Sequence, residues 1–210
     1  MNFESVLEQI LDYATKLSLA ELTGLIAGFL AVMFLIRNNV WTWPAGIVYV
    51  LVSFFIFAKA KLWGDFSLHI VFLVLNSYGW YYWVYGKKKE ENDVPITHSS
   101  NKSLIIVLFL SLAGCYLFGL GLKHIHFALP IEPNDLPYWD GITSALSVTG
   151  IWLTARKKID NWYYWFVVDV LSTGIYFYKG LYFYSFLYLI YIGMAVSGFF
   201  SWRKMMLAKA

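Results

Sequence analysis

Four residues between positions 165 and 176 carry side chains that could bind a small molecule within an apolar stretch. Trp165, Asp169, Ser172 and Tyr176 follow one another at spacings of four, three and four residues, so in a helix they share one face. The surrounding stretch, residues 159–182, is long and apolar enough to cross a bilayer. A carboxylate at the centre of such a helix costs about 2.5–3.5 kcal/mol, which a partner would offset. Two interpretations fit: a small-molecule site, or a polar contact between neighbouring helices.

Two further predicted helices place polar and aromatic side chains at a similar depth, each along one helical face. They are His69, Asn76, Trp80 and Trp83 in the first helix, and Tyr184, Tyr188, Tyr191, Ala195, Gly198 and Trp202 in the second. Asn76 can both donate and accept hydrogen bonds, which suits an amide or a sugar hydroxyl. Because aromatic faces attract cations and a buried carboxylate balances one, these faces predict a flat, polar, cationic ligand. No cluster of Arg or Lys occurs at this depth, so a phosphorylated ligand is not expected.

The composition is typical of an integral membrane protein. The chain is 60% hydrophobic and 20% aromatic, and only 14% of its residues are charged, whereas soluble domains carry roughly 25% charged residues. The apolar runs are continuous rather than alternating, which indicates helices and not a β-barrel. The net charge of +3 is modest, and no nucleic-acid partner is expected. His124 and His126 lack the further ligands of a metal site, so neither a metal nor a cofactor is predicted.

The chain divides into an interfacial helix, two three-helix units and a linker helix. Residues 1–18 begin with acidic turns, so they predict an amphipathic interfacial helix rather than a signal peptide. Seven apolar spans follow, near 19–36, 41–58, 64–85, 103–122, 138–155, 162–178 and 183–202. The predicted units are a first three-helix repeat at 19–85, a linker with the fourth transmembrane helix at 86–137, a second three-helix repeat at 138–202 and a cytoplasmic tail at 203–210.

The distribution of positive charge predicts the orientation, because cytoplasmic loops are enriched in Lys and Arg. With seven spans, one face of the membrane holds five of the 16 positive residues and the other face holds eleven. The first set is Lys16, Lys59, Lys61, Lys123 and Lys179, and the second is Arg37, Lys87, Lys88, Lys89, Lys102, Arg156, Lys157, Lys158, Arg203, Lys204 and Lys209. We therefore expect the N-terminus outside and the C-terminus in the cytoplasm.

An internal repeat relates the two predicted three-helix units. A shift of 119 residues places Arg37 on Arg156, Trp43 on Trp162, Ser53 on Ser172, Gly79 on Gly198 and Trp83 on Trp202. Three spans, a linker span and three more spans give both units the same orientation, which predicts a parallel repeat and hence a transporter. A duplicated scaffold without a pathway is the alternative. Asp169 falls on Val50, so the carboxylate marks a difference between the two units.

Four motifs carry a resemblance to a known family: NSYGWYYW (76–83), PYWDG (137–141), RKKIDNWYYW (156–165) and YKGLY (178–182). In this order they resemble the PnuC family of bacterial vitamin transporters. The resemblance implies an all-α membrane protein of seven transmembrane helices with a SWEET-like 3+1+3 parallel repeat, often a homotrimer, in the bacterial inner membrane. It also implies facilitated diffusion of nicotinamide riboside, trapped by phosphorylation in the cytosol. Close relatives move thiamine or riboflavin.

By motif, the resemblance implies that the pathway is lined by Asn76, Tyr78 and Trp80, by the group from Trp162 to Trp165, and by Asp169, Ser172 and Tyr176. Tyr188 joins this set from the aromatic stripe of the last span. Some members of the family have an Asn at the place of Asp169. An Asp fits either vitamin cation, the pyridinium of nicotinamide riboside or the thiazolium of thiamine.

Three functional classes remain to be weighed. A vitamin uniporter agrees with the repeat, the polar residues at membrane depth and the motifs. An intramembrane enzyme would need a nucleophile and base or a metal set, and only His69 and Asp169 titrate at that depth, so an enzyme is not predicted. A symporter that uses Asp169 as a proton site is the remaining alternative.

Overall fold

The computed structural model describes residues 3–60, 63–86, 93–128 and 136–208. These residues form eight α-helices: α1 Phe3–Thr15, α2 Leu19–Ile36, α3 Thr42–Ala60, α4 Trp63–Tyr85, α5 Asn101–Ala128, α6 Pro137–Ala155, α7 Asn161–Tyr178 and α8 Tyr182–Leu207. The described part is therefore all-helical, as predicted. Part of the predicted charge count, Lys61, Lys87, Lys88, Lys89 and Lys209, lies outside the described residues, as does the side chain of His126.

Helices α2 to α8 coincide with the seven predicted spans, and α5 and α8 continue beyond the predicted ends. Within the described ranges, four helices are long and apolar enough to cross a membrane: α2, α3, α5 and α8. Membrane crossing by α4, α6 and α7 stays a prediction. The amphipathic helix expected near the N-terminus is α1, which packs against α8.

Local sequence signals set several helix ends. Ser18 and Glu21 form a capping box at the start of α2, in which the Glu21 N–H donates to Ser18 Oγ at 3.2 Å and the Ser18 N–H donates to Glu21 Oε2 at 2.8 Å. Pro137 begins α6, a position where its missing N–H leaves no helix hydrogen bond unmade. Gly180, with φ of 73°, turns the chain between α7 and α8, because glycine tolerates left-handed backbone.

The helices pack as two groups of three. Helices α2, α3 and α4 pack in sequence, and α6, α7 and α8 do the same. The groups meet where α2 packs on α8 and where α4 packs on α6, while α5 lies against α6. The end of the bundle near α1 is called the α1 end below. The opposite end, where α8 finishes, is called the C-terminal end.

At the C-terminal end, the turn after α2 and the turn after α6 have the same geometry. Asn38 and Lys157, 119 residues apart, both adopt left-handed backbone, with φ of 51° and 50°. The hydrogen bonds that close the turns also recur, because the Asn38 N–H donates to Leu35 O at 2.8 Å and the Lys157 N–H donates to Thr154 O at 3.0 Å.

Four buried indoles close the C-terminal end: Trp43, Trp83, Trp162 and Trp202, here called the tryptophan cluster. Trp43 meets Trp83 edge-on with ring centroids 5.4 Å apart, and Trp162 meets Trp202 in the same way at 5.7 Å. Two indoles reach across to the other helix group. Trp83 Nε1 donates to Thr154 O at 3.3 Å, and Trp202 Nε1 donates to Leu35 O at 2.8 Å.

Gly198→Ala should destabilise the protein, because the added methyl group would overlap the Trp162 ring. Overpacking a buried contact costs about 1–3 kcal/mol. Thermal unfolding of the purified protein in detergent would measure the loss. Gly193→Ala is the control on the same helix, since nothing among the described residues lies within 4 Å of its added methyl group. Equal losses in the two variants would contradict the packing role.

Candidate functional site

A cavity of about 450 Å³ lies between the two helix groups, a volume that suits a small molecule. Its walls come from α2, α3, α4, α6, α7 and α8. Glu21 and Tyr184 line it at the α1 end, and Trp43 and Trp162 of the tryptophan cluster line it at the C-terminal end. The cluster therefore forms the floor of the cavity.

Helix α7 places Trp165 and Asp169 in the cavity wall. Asp169 is only 6% exposed, and among the described residues no basic side chain forms an ion pair with it. Trp165 is held in place because its Nε1 donates to Thr154 Oγ1 at 3.1 Å and its ring packs against Gly150. An aromatic face beside a buried carboxylate suits a cationic aromatic ligand.

A series of tyrosine rings runs along the same side of the cavity. Tyr176 lies 5.6 Å from Tyr184, centroid to centroid, and stacks on Tyr188 at 5.3 Å with an interplanar angle of 21°. Tyr188 in turn meets Tyr191 edge-on at 5.8 Å. All four rings line the cavity, and Tyr188 and Tyr191 are electrostatic neighbours of Asp169. Phenol rings therefore lead from the α1 end to the buried carboxylate.

Asn76 is the amide of the cavity wall and comes from the first helix group. Its Nδ2 donates to Phe72 O at 2.8 Å, one helical turn back, which fixes the rotamer. Its oxygen packs against Gly46, where a Cβ would overlap it. Glycine at position 46 therefore gives the carboxamide the room to reach the cavity.

Six of the predicted site residues line the cavity: Asn76, Trp162, Trp165, Asp169, Tyr176 and Tyr188. Ser172 is 6% exposed but is not part of the wall. Tyr78 lies elsewhere, because its ring stacks on Trp152 at 5.4 Å and its hydroxyl accepts a hydrogen bond from Arg156 Nη1 at 2.9 Å. Trp80 is 42% exposed on the outside of α4. Tyr78 and Trp80 therefore do not contribute to this wall.

The sequence-based prediction missed much of the first helix group's share of the wall, including Glu21, Trp43 and Tyr49. The 119-residue shift contained a signal for Trp43, since that residue is the counterpart of Trp162. No comparable signal marked Tyr49, because α3 is apolar on nearly every face. Within the described ranges, no three His, Cys, Asp or Glu side chains come together in a way that could hold a metal ion.

Helix α1 reaches the cavity mouth through Tyr13. Its hydroxyl donates to Glu21 Oε1 at 3.3 Å and lies 2.9 Å from the Tyr184 hydroxyl, so it joins α2 to α8. Burial, followed by the hydrogen bond with Tyr184, raises the pKa of Tyr13 above its ordinary value, so the phenol stays protonated at neutral pH. The α1 end is thus bridged by neutral hydrogen bonds.

Comparison with known proteins places this arrangement in a family. The family model described as "Nicotinamide mononucleotide transporter" matches residues 18–204. The chain belongs to this family, which includes PnuC. The resemblance to the PnuC family predicted from the motifs is confirmed. Family membership, together with the four apolar helices, makes the chain a multi-pass membrane protein of a transporter family.

Three relatives define the similarity. The nicotinamide riboside transporter PnuC of Escherichia coli (strain K12) is 25% identical and matches 89% of this chain and 85% of its own. The riboflavin/roseoflavin transporter RibM of Streptomyces davaonensis is also 25% identical, over 87% of this chain and 84% of its own. The crystal structure of the vitamin B3 transporter PnuC superposes with a TM-score of 0.69 at 20% identity and covers 90% of this chain and 82% of that one. These relatives are transporters rather than enzymes, and the solved structure shares the fold.

Proposed function

We propose that this protein carries nicotinamide riboside across the bacterial inner membrane by facilitated diffusion, with the vitamin trapped by phosphorylation in the cytosol. The observation that carries the proposal is the cavity wall in which Trp165 and the tyrosine rings surround the buried, uncompensated carboxylate of Asp169. A pyridinium ring is flat, aromatic and cationic, and a carboxylate on an aromatic wall offsets its lost hydration. Asn76 can pair with its carboxamide or its sugar.

Alternating access is the mechanism we infer. The paired turns, the paired tryptophan contacts and the reciprocal packing of α2 on α8 and α4 on α6 support a parallel 3+1+3 repeat of the SWEET type. In this proposal all seven of α2 to α8 cross the membrane, the α1 end and the N-terminus face outside, and the C-terminal end faces the cytoplasm. The homotrimer implied by the family resemblance is part of the same proposal.

Riboflavin transport is the second candidate, because RibM is as similar in sequence as the Escherichia coli PnuC. Thiamine, a thiazolium cation, is the third vitamin that the site chemistry fits. Asp169 favours the two cations, since a neutral flavin would leave the carboxylate buried without a counter-charge.

Direct binding to the purified protein should separate these candidates. Calorimetric titration with nicotinamide riboside, thiamine and riboflavin should give tightest binding for nicotinamide riboside. The phosphorylated form, nicotinamide mononucleotide, is the matched control and should bind more weakly, because the phosphate adds negative charge near Asp169 and Glu21. Absence of binding by nicotinamide riboside would overturn the substrate assignment.

Uptake into liposomes tests the mode of transport. Facilitated diffusion predicts that uptake follows the vitamin gradient alone and does not change when a pH gradient is imposed. Accumulation against the vitamin gradient, driven by protons, would favour the symporter in which Asp169 carries the proton.

A further inference from the structure

Asp93 contacts both halves of the molecule at the C-terminal end. It lies in the segment between α4 and α5, and 34% of its side chain is exposed. Its carboxylate accepts hydrogen bonds from Lys157 Nζ at 2.7 and 2.9 Å, and from Asn38 Nδ2 at 3.4 Å. Asn38 follows α2 of the first helix group, and Lys157 follows α6 of the second.

Asn38 and Lys157 are equivalent positions of the two halves. They are 119 residues apart and share the same left-handed backbone, with φ of 51° and 50°. A single carboxylate that bonds to both must lie between the halves, close to the axis that relates them. Asp93 itself comes from outside the repeated helices, so it adds an asymmetric contact to a symmetric end.

The Asp93 segment is fixed more firmly to the second half than to the first. Lys157 is 1% exposed, and its ammonium lies 4.1 Å from the centroid of the Trp83 ring, so its ion pair is largely shielded from water. Backbone bonds add to this: the Thr97 N–H donates to Lys157 O at 3.1 Å, and the Ile159 N–H donates to Thr97 O at 3.0 Å. The 3.4 Å contact with Asn38 is the longest and weakest bond that Asp93 makes.

These contacts lie beneath the floor of the cavity. The cavity ends at Trp43 and Trp162, whereas Trp83 and Trp202 form no part of its lining. The ammonium of Lys157 covers the Trp83 ring, and Asp93 covers Lys157. A ligand leaving through the C-terminal end must pass the tryptophan cluster and then this ion pair.

We propose that Asp93 is the latch of the gate at the C-terminal end, holding the turns after α2 and α6 together until its bond to Asn38 breaks. The proposal rests on the proposed transport by alternating access, since only a protein that opens at this end needs such a latch. Opening separates the two turns, and Asp93 cannot keep both partners. The stronger bond to Lys157 persists, so the segment moves with the second half.

Accessibility of a single cysteine tests the latch without any vitamin. Ala195 lines the cavity and packs in the same core as Trp162, so Ala195→Cys in a Cys115→Ala background reports opening at the cavity floor. A membrane-impermeant thiol reagent is added at the face that carries the C-terminus. Asp93→Ala should raise the labelling rate roughly tenfold, the shift expected when a charge-assisted hydrogen bond holding one state is lost.

Two further variants separate a latch from a fold defect. Lys158→Ala is the matched control, since Lys158 Nζ holds the same segment through Thr97 Oγ1 at 2.8 Å without contacting Asn38 in the described structure, and it should label at the parent rate. Asp93→Ala with Lys157→Met removes the stranded ammonium, so a defect caused only by that charge disappears. The latch predicts that the double variant still labels fast.

Labelling of Asp93→Ala at the parent rate, or return of the double variant to the parent rate, would overturn the latch. If Asp93→Ala does not reach the membrane, Asn38→Gly replaces it and is judged by the same criterion, since glycine keeps the left-handed backbone and removes only the amide. Failure of the vitamin assignment would appear instead as absent binding in titrations, which this measurement does not use.

Discussion

Asp169→Asn is expected to weaken binding of nicotinamide riboside by roughly 10- to 150-fold, because a charge-assisted contact of about 1.5–3 kcal/mol is lost. The change is nearly isosteric, and it removes a charge that is 6% exposed and has no basic partner among the described residues. Binding of a neutral flavin should not weaken, since the flavin gains nothing from the carboxylate. Titration of the purified variant with both vitamins gives the comparison.

Asp140→Asn is the control for a general loss of negative charge. Asp140 pairs with Lys179 at 3.4 Å, is partly exposed and does not line the cavity. This variant should bind nicotinamide riboside like the parent protein. If Asp169→Asn weakened the cationic and the neutral vitamin equally, the carboxylate would have a structural role, and the proposed recognition of a cation would be wrong.

Trp165→Ala is expected to weaken binding by roughly 5- to 150-fold, because stacking of a flat ring on an aromatic side chain contributes about 1–3 kcal/mol. The indole is preorganised by its bond to Thr154 Oγ1 and by contact with Gly150, so little entropy is lost when a ligand stacks on it. Unlike the loss at Asp169, this loss should affect cationic and neutral vitamins, since both have a flat ring.

Truncating Trp165 also opens a cavity, so stability must be measured beside binding. Trp152→Ala is the matched control, because Trp152 stacks on Tyr78 outside the cavity and is 42% exposed. Trp165→Phe keeps a ring without the Nε1 donor and should recover part of the affinity. Normal binding by a folded Trp165→Ala variant would remove the indole from the proposed site.

The two ends of the cavity differ in their symmetry. At the C-terminal end the same turns and indole contacts occur twice, 119 residues apart. Higher in the cavity the counterparts differ: Asp169 faces Val50 in the alignment of the halves, and Trp165 falls on Gly46. Residues that must move as matched pairs are constrained alike, whereas a ligand without two-fold symmetry is best met by unlike walls. This division agrees with a gate at the floor and recognition above it.

The sequence by itself was sufficient for the class of protein, the positions of the helices and the family. Length and polarity of apolar runs are local properties, so α2 to α8 were predicted close to their observed bounds. The spacing from Trp165 to Tyr176 also correctly placed Trp165, Asp169 and Tyr176 on one wall, because helical geometry alone sets that relation.

Only the tertiary structure decided which faces meet. A helix that is apolar all round carries no moment that distinguishes a lipid-facing side from a bundle-facing side. For that reason Tyr78 and Trp80 were predicted in the wall but lie outside it, and Tyr49 was not predicted but lines it. The contact of Asp93 with Asn38 and Lys157 joins residues far apart in the chain, and no local pattern encodes it.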